Sequence, residues 1–476
     1  MPAALFAAGM GVAQQPFQLD ASFETSIDTW YVTSVLTLPD GDVIISGQVK
    51  FPGDLSFKAL ARLNPDGSQD LGFPTSGLGG GLLTAWNGKF YVGTGQTVRR
   101  INMAGTLDTG FNEMNNDPFF SSLQGGGYHV FPDGRVLLSG SHFLSDTIHG
   151  FVGTYQLIWF TNTGSLDTTR QHRQASSSIF QIKEQPDGKF LCAGSMNQYE
   201  GQPVGQLFRI HPDGELDTTF NTTVDWGYPV SFHTLADGRI LCGGAYKLLG
   251  DPDTLSLIRL LPNGDLDPTF NNHIQLTYSY GSWTNYAPIS DIHPLNDGRL
   301  IVTGSFDSVE GEVRGGIALL DSSGYLLNDL FDSPGCGPFT YMGSTGAYIR
   351  GIVPAPDGSY YIHGGYHGYD DGTNSDPGQR MVSRLYGLNV GVPQLGQPLD
   401  LAVFPNPTHG QVQVRLPEGE QGAVLHVIDP QGRVVLALEM AGNMHVLDLV
   451  GQAAGLYAVR VRSRQGRIGK VLVVVE

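Results

Sequence analysis

Cysteine is scarce: Cys192, Cys242 and Cys336 are the only three in 476 residues, and no two form a CxxC pair. That excludes a disulfide framework and the paired-cysteine zinc patterns. Charge is scarce as well, at 15%, and lopsided: 27 Lys and Arg stand against 45 Asp and Glu, for a net −18. Such a balance argues against a nucleic-acid partner, which needs a basic stripe. No stretch reaches the ~18 apolar residues of a membrane-spanning helix. Gly-x-Ser-x-Gly, His-Glu-x-x-His and a P-loop are all missing.

Glycine is what the chain has in plenty, 65 residues, beside 10% aromatics. Together with low charge this points to an all-β protein rich in turns, too aromatic for disorder. One sentence is written repeatedly. Leu207–Asn221 reads LFRIHPDGELDTTFN and Leu257–Asn271 reads LIRLLPNGDLDPTFN. An alternating apolar run meets a Pro-Asp-Gly or Pro-Asn-Gly turn and folds back as a hairpin. The Leu-Asp-x-Thr-Phe tail returns about every 50 residues, the period of a propeller, solenoid or array.

A second hairpin type alternates with it. It runs LPDGDVIISG from Leu38, WNGKFYVGTG from Trp86, FPDGRVLLSG from Phe131, QPDGKFLCAG from Gln185, LADGRILCGG from Leu235, LNDGRLIVTG from Leu295 and APDGSYYIHG from Ala355, seven copies in all. Cys192 and Cys242 fill the same slot in two of them and are expected to be small buried residues. The seventh repeat stops at VSRLYG, from Val382, before its tail. The missing tail stands at the other end of the chain, as QLDASF from Gln18 to Phe23. Closing a circle hides the edges of its sheets, and a split repeat serves only a circle. The expected fold is therefore all-β: a seven-bladed β-propeller over residues 14–388, each blade four-stranded, closed by its N-terminal strand.

These tails and hairpins resemble the bacterial delta-60 repeat family of β-propellers over roughly Gln18 to Leu388. Trp86-Asn87-Gly88 and Asn328-Asp329 depart from the pattern. The resemblance implies a fold and an extracellular setting, not a reaction. Residues 1–13, an apolar stretch ahead of Gln14, are expected to be a signal peptide truncated at its start, since the positively charged beginning is missing.

Residues 389–399 (NVGVPQLGQPL) form a Pro/Gly linker. From Leu401 the character changes. Seven Lys and Arg against six Asp and Glu give +1, leaving −19 on the rest of the chain. Seven short strand-like runs over residues 400–476 suggest an immunoglobulin-like β-sandwich. Pro405-Asn406-Pro407 with Gly410, then Gly432, then Gly455 and Tyr457, and Lys470 near the end, resemble the type A sorting domain of the type IX secretion system. The resemblance implies a partner, that secretion machinery. It also implies a location, secreted or attached to the outer surface after passage through the periplasm and outer membrane.

The uniform Asp-Gly turns should share one face of the disc and the variable connections the other. Function usually rides on variable loops held by a rigid scaffold. Those loops carry aromatics: Trp226 and Tyr228, then Tyr280, Trp283 and Tyr286, then Tyr341. Flat rings beside Asp and Asn suit stacking on sugars or gripping a peptide; the bland alternative is that they wedge between blades. Asp370, Asp371 and Asp376 offer oxygen ligands for calcium, without the EF-hand spacing; no other cofactor is expected. The reading is a monomeric, surface-displayed binding module for glycan or protein rather than an enzyme. An enzyme acting on extracellular glycans and a purely structural surface protein are the rivals. The Ser-x-Asp-x-Gly-x-Thr-Trp boxes of sialidase-type propellers are absent.

Overall fold

The computed structural model describes residues 16–74, 79–280, 283–341, 344–388, 401–417, 423–428, 434–462 and 468–475. The signal-peptide and linker assignments fall outside these residues. Apart from one 3-10 turn at Met114–Asn116, the described regular structure is all strand. Two compact units are separated after Asn389.

The larger unit repeats one antiparallel sheet, and its first strand ends in an Asp-Gly or Asn-Gly turn each time. The first three sheets are Thr29–Thr37/Val43–Lys50/Lys58–Leu63, Leu83–Trp86/Lys89–Gly93/Val98–Asn102 and Phe120–Val130/Val136–Asp146/Phe151–Phe160. The fourth to sixth are Ile179–Glu184/Phe190–Gly194/Leu207–Ile210, Val224–Thr234/Ile240–Leu248/Leu255–Leu260 and Ile289–Pro294/Leu300–Gly304/Ile317–Leu320. The seventh joins Tyr348–Pro354, Tyr360–Asp370 and Ser375–Tyr386 to Gln18–Leu19 and Gly335–Cys336. The middle strands read as nearly continuous apolar runs because sheets pack on both their faces: Val43–Ile45, Leu191–Ala193 and Ile301–Val302 are wholly buried. The three cysteines are buried and free.

The Leu-Asp-x-Thr-Phe tail differs from expectation. It is not a regular fourth strand but a single bridge, as at Ile210–Leu216, Leu260–Leu266 and Leu320–Leu326. Its Asp explains why. In the fifth repeat Asp267 Oδ1 accepts from the Thr269 N–H (2.9 Å) and hydroxyl (2.6 Å), curling the chain into a turn that no strand follows. Oδ2 accepts from Arg259 Nε at 2.7 Å, eight residues back on the last strand. The guanidinium lies 4.7 Å over the Phe270 ring, and its Nη1 donates to the Ser322 carbonyl of the next repeat's turn. Arg209 repeats the arrangement with Asp217, Phe220 and the Pro262 carbonyl, and Arg100 with Asp108, Phe111 and the Asn162 carbonyl. Each tail is thus a rivet between one sheet and the next turn.

The turn glycine completes the rivet. Gly264 has φ +96, and a Cβ there would sit 2.3 Å from the Asn221 carbonyl of the preceding tail. Only glycine tolerates both the left-handed backbone and that approach.

The split repeat follows the same plan. Gln18 pairs with Tyr386 and Leu19 with Leu385. Arg384 donates to Asp20 Oδ2 at 2.5 Å and lies 5.5 Å over Phe23, while the Glu24 N–H reaches the Asp66 carbonyl of the first repeat's turn. Residues 18–24 thus link the seventh sheet to the first repeat's turn. First strands neighbour one another from sheet one to sheet two and from sheet three through sheet seven, and Tyr348–Pro354 touches Thr29–Thr37.

Removing one partner of a buried ion pair costs about 3–5 kcal/mol, because the other charge stays buried and unpaired. Arg259 and Asp267 side chains are 5% and 3% exposed. Asp267→Ala is therefore expected to lower unfolding free energy by about 3 kcal/mol, read from urea melts.

The rivets also set the acid limit. Burial raises the pKa of Asp108, but hydrogen bonds from Lys89, Arg100 and the Gly110 N–H outweigh it and hold the carboxyl at about 2. Asp217 and Asp267 are depressed in the same way, burial again being outweighed by their Thr, Lys and Arg donors. A carboxyl depressed on folding stabilises above its unfolded pKa, and that stability is lost as pH falls through the folded value. Urea midpoints are expected to hold from neutral pH to about 5, then fall steeply between about pH 4 and 2. Asp108→Asn should flatten that fall.

The smaller unit contains seven strands among the described residues. Ala402–Phe404, Gln411–Arg415 and Met444–Asp448 form one sheet; Ala423–Ile428, Val434–Met440, Gly455–Arg462 and Ile468–Val475 form the other. Val412, Val414 and Leu447 from the first share a core with Leu425, Val427, Val459, Val461 and Val473 from the second.

Candidate functional site

Two cavities open in the larger unit, away from the Asp-Gly turns. One is axial, about 670 Å³, lined by Trp30, Tyr31, Thr33, Gln181, Val230, Pro288, Ser290, Phe339, Tyr348 and Arg350 among others. Most of its lining is drawn from the first strands of sheets one, four, five, six and seven, so no single repeat forms it.

A shared irregularity builds this lining. In sheet one the register between first and second strands slips between Val32 and Ser34, in sheet five between Pro229 and Ser231, in sheet six between Ile289 and Asp291, and in sheet seven between Ile349 and Gly351. The extra residues are Thr33, Val230, Ser290 and Arg350, and all four line the cavity. A bulge re-aims the side chain it inserts. Trp30 and Tyr31 meet edge-on at 5.0 Å between centroids, and the Arg350 guanidinium lies 5.5 Å over the Tyr31 ring.

Deeper on the same strands stand polar groups. Asp291 accepts from the Ile292 N–H (2.9 Å), the Ile352 N–H (3.3 Å) and the Ser231 hydroxyl (3.4 Å). Burial raises its pKa above the ordinary carboxylate value despite those donors. His233 and His293 are pushed down, burial being the main cause. Lys183 is exposed and pairs with no carboxylate among the described residues.

The other cavity, also about 670 Å³, lies between sheets six and seven, lined by Tyr278, Phe306, Asp307, Val313, Tyr348, His367, Asp370, Asp376 and others.

Of the sequence-predicted aromatics whose side chains are described, Trp226, Tyr228 and Tyr286, none lines either cavity. Trp226 is 59% exposed and Tyr286 41%. Tyr228 stacks on Phe180 at 5.3 Å and is half-buried, a wedge between sheets four and five. Tyr280 and Trp283 face each other across the hairpin Leu276–Tyr280/Trp283–Tyr286, and Tyr341 pairs with Ser344; the three side chains lie outside the description. Trp30, Tyr31 and Arg350 were missed because they sit on strands, where alternation alone assigns side chains to the core.

The calcium candidates separate too. Asp371 is buried, and its Oδ2 accepts the Leu19 N–H at 2.9 Å while Oδ1 takes Thr373 and Asn374. It fastens the N-terminal strand. Asp370 and Asp376 accept from the Gly372 and Gly378 N–H groups and line the cavity beside sheet seven. No group of three or more His, Cys, Asp or Glu suited to a metal occurs among the described residues.

In the smaller unit the sorting stretches form a buckle. The Asn406 Oδ1 accepts the Val474 N–H at 2.9 Å, and the Thr408 N–H donates to the Val474 carbonyl at 2.8 Å. Gly410 has φ +148, and a Cβ there would lie 2.6 Å from Val450. Tyr457 donates its hydroxyl to the Ala453 carbonyl at 2.9 Å, and Lys470 pairs with Arg460 in the ladder. Pro405 and Pro407 flank the buckle, Gly455 opens its strand, and Gly432 lies outside the described residues.

Comparison with known proteins agrees with this division. The model for a domain of unknown function, the DUF5122 β-propeller, matches residues 38–73, 185–220, 235–270 and 295–326. The secretion system C-terminal sorting domain matches residues 402–475. No curated protein matches the chain. Among solved structures it is similar to PorZ, a bacterial surface component of the type IX secretion system of Porphyromonas gingivalis, at 12% identity and TM-score 0.37, covering 100% of this chain and 61% of that one. It is similar to the extracellular domain of a hybrid two-component system from B. thetaiotaomicron, at 12% identity and TM-score 0.42, covering 97% and 58%. A third is the Pan2 WD40 domain of Neurospora crassa, at 9% identity and TM-score 0.37, covering 78% and 97%. The chain thus spans about three fifths of the first two relatives. No helix of the described residues is long and apolar enough to cross a membrane. The sorting domain marks export by type IX secretion, to the cell surface or beyond. The chain thus carries delta-60-like DUF5122 β-propeller repeats in its larger unit and a type IX secretion C-terminal sorting domain in its smaller one.

Proposed function

We propose that the protein is a surface-displayed glycan-binding module whose axial cavity holds the sugar. In this reading its propeller has seven blades and is closed by the N-terminal strand, and the sorting domain is an immunoglobulin-like sandwich. The observation that carries the function is the cavity's lining: Trp30, Tyr31, Phe339 and Tyr348 beside Thr33, Gln181, Ser290 and Arg350. Aromatic faces with a few placed polar groups are how a concave site orients a saccharide. Glycan cleavage in most families needs a second carboxylate across the bond, and the lining residues named for this cavity include none. That favours holding over cutting.

The expected result is selective binding on a glycan array, with Trp30→Ala plus Tyr348→Ala weakening it at least about tenfold, or about 1.4 kcal/mol. An array without a binder, or a double variant that binds as the parent does, would refute the glycan reading. A protein partner is the second reading, favoured by the exposed rim residues Trp226 (59%), Val313 (65%) and Leu249 (71%). Pull-down from the cell surface, lost in Trp226→Ala, would support it.

A further inference from the structure

Resting on that glycan reading, we infer that the axial cavity takes an acidic saccharide, whose carboxylate is held by Arg350. Of the four bulged residues that line the cavity, Thr33, Val230, Ser290 and Arg350, one is charged. Arg350 is exposed to the cavity and forms no ion pair with any described carboxylate. In a chain of net charge −18 an unpaired cation at the axis is out of keeping with its surroundings. Twelve of the other arginines named in the structure's ion pairs and rivets are engaged by Asp, Glu or carbonyl oxygens, so a free guanidinium is the exception rather than the habit.

The ring of Tyr31 supports the guanidinium from one side at 5.5 Å. Stacking orients the planar group and leaves its donor edge for a planar, two-oxygen acceptor. A sugar carboxylate is that acceptor, and the remaining rings of Trp30 and Tyr348 offer surface for the pyranose. A second cation lies deeper. Lys183 follows Gln181 by two residues on one strand, so both point to the same side, and Gln181 lines the cavity. The charge of Lys183 is felt by His129, His233 and Asp291, on the first strands of sheets three, five and six. Asp291, the one carboxyl among these three, is already occupied by the Ile292 and Ile352 amides. Arg350 in the lining and Lys183 on the strand of Gln181 thus favour an acidic saccharide over a neutral one.

The test is calorimetric titration of the full chain with trigalacturonate and with its methyl ester, which keeps the shape and removes the charge. Trigalacturonate is expected to bind at least about tenfold more tightly than the ester, and more weakly as salt rises. Arg350→Gln should abolish the preference for the acid, and Arg350→Lys should recover part of it, since a point charge lacks the fork. The melting temperature of both variants should match the parent, because Arg350 is exposed and holds no hydrogen bond among the described residues. Equal binding of acid and ester, lost in Trp30→Ala plus Tyr348→Ala, would overturn the acidic assignment while the glycan reading stands. Failure of both probes, and of every sugar on the array, would overturn the two together. Unchanged preference in Arg350→Gln would overturn the role of Arg350.

Discussion

Removal of residues 16–25 is expected to leave a protein that does not hold the fold of its larger unit at 37 °C. The segment contributes Phe17, Leu19 and Phe23, all buried, and each large-to-small loss of that kind costs about 2–5 kcal/mol. It also carries Asp20, partner of Arg384, whose side chain is 12% exposed, and a stranded charge of that kind adds about 3–5 kcal/mol. The sum rivals the whole stability of a domain, about 5–15 kcal/mol. Leu19 further caps Asp371, and Tyr369 donates to the Phe17 carbonyl at 3.0 Å, so two buried polar groups lose partners as well. Thermal melting of the deleted chain is the measurement. A relocation control separates closure from mere loss of sequence. Placing residues 17–24 after Tyr386 through a Pro-Asp-Gly turn would rebuild an uninterrupted repeat, with Gln18 still opposite Tyr386. That variant should recover most of the melting temperature. A deleted chain that melts like the parent would refute closure by the N-terminal strand.

The second large effect is on location. A chain ending at Leu388 is expected to fold, since the larger unit holds its own core, yet to stay in the periplasm of its host. Protease added to whole cells should then leave it intact, while the full chain is cleaved or shed. A single substitution, Gly410→Val, should approach the same outcome. A side chain there would strike Val450 at a left-handed φ and force apart the buckle that binds residues 406–410 to the last strand. Surface display of the chain ending at Leu388 would refute the role of the sorting domain.

Much of this was legible beforehand. Six Asp-Gly turns and one Asn-Gly turn mark where first strands of the larger unit end, because turn residues dictate that point whatever lies around them. The C-terminal strand runs were all found where alternation placed them, from Ala402–Phe404 to Ile468–Val475. The tail was misread as a strand. Leu-Asp-x-Thr-Phe has the composition of one, but its Asp bonds its own Thr and an Arg eight residues back, and that second bond depends on the folded hairpin.

The candidate site was the least legible part. Loops rich in Tyr and Trp drew attention to Tyr280, Trp283 and Tyr286, yet the axial lining comes from Thr33, Val230, Ser290 and Arg350 on strands far apart in the chain. Each is turned inward by a bulge, and a bulge is a property of two strands in register, not of either alone.

By itself the sequence determined the repeat, its turns, the split between first and last copies, and the sorting signal, because each is written in local residue order. Tertiary structure decided which residues meet. Arg384 finds Asp20 across 364 positions, and Arg350 comes to lie over Tyr31, only because the ring of sheets brings distant first strands side by side. Local propensity carries no information about such pairings; packing does.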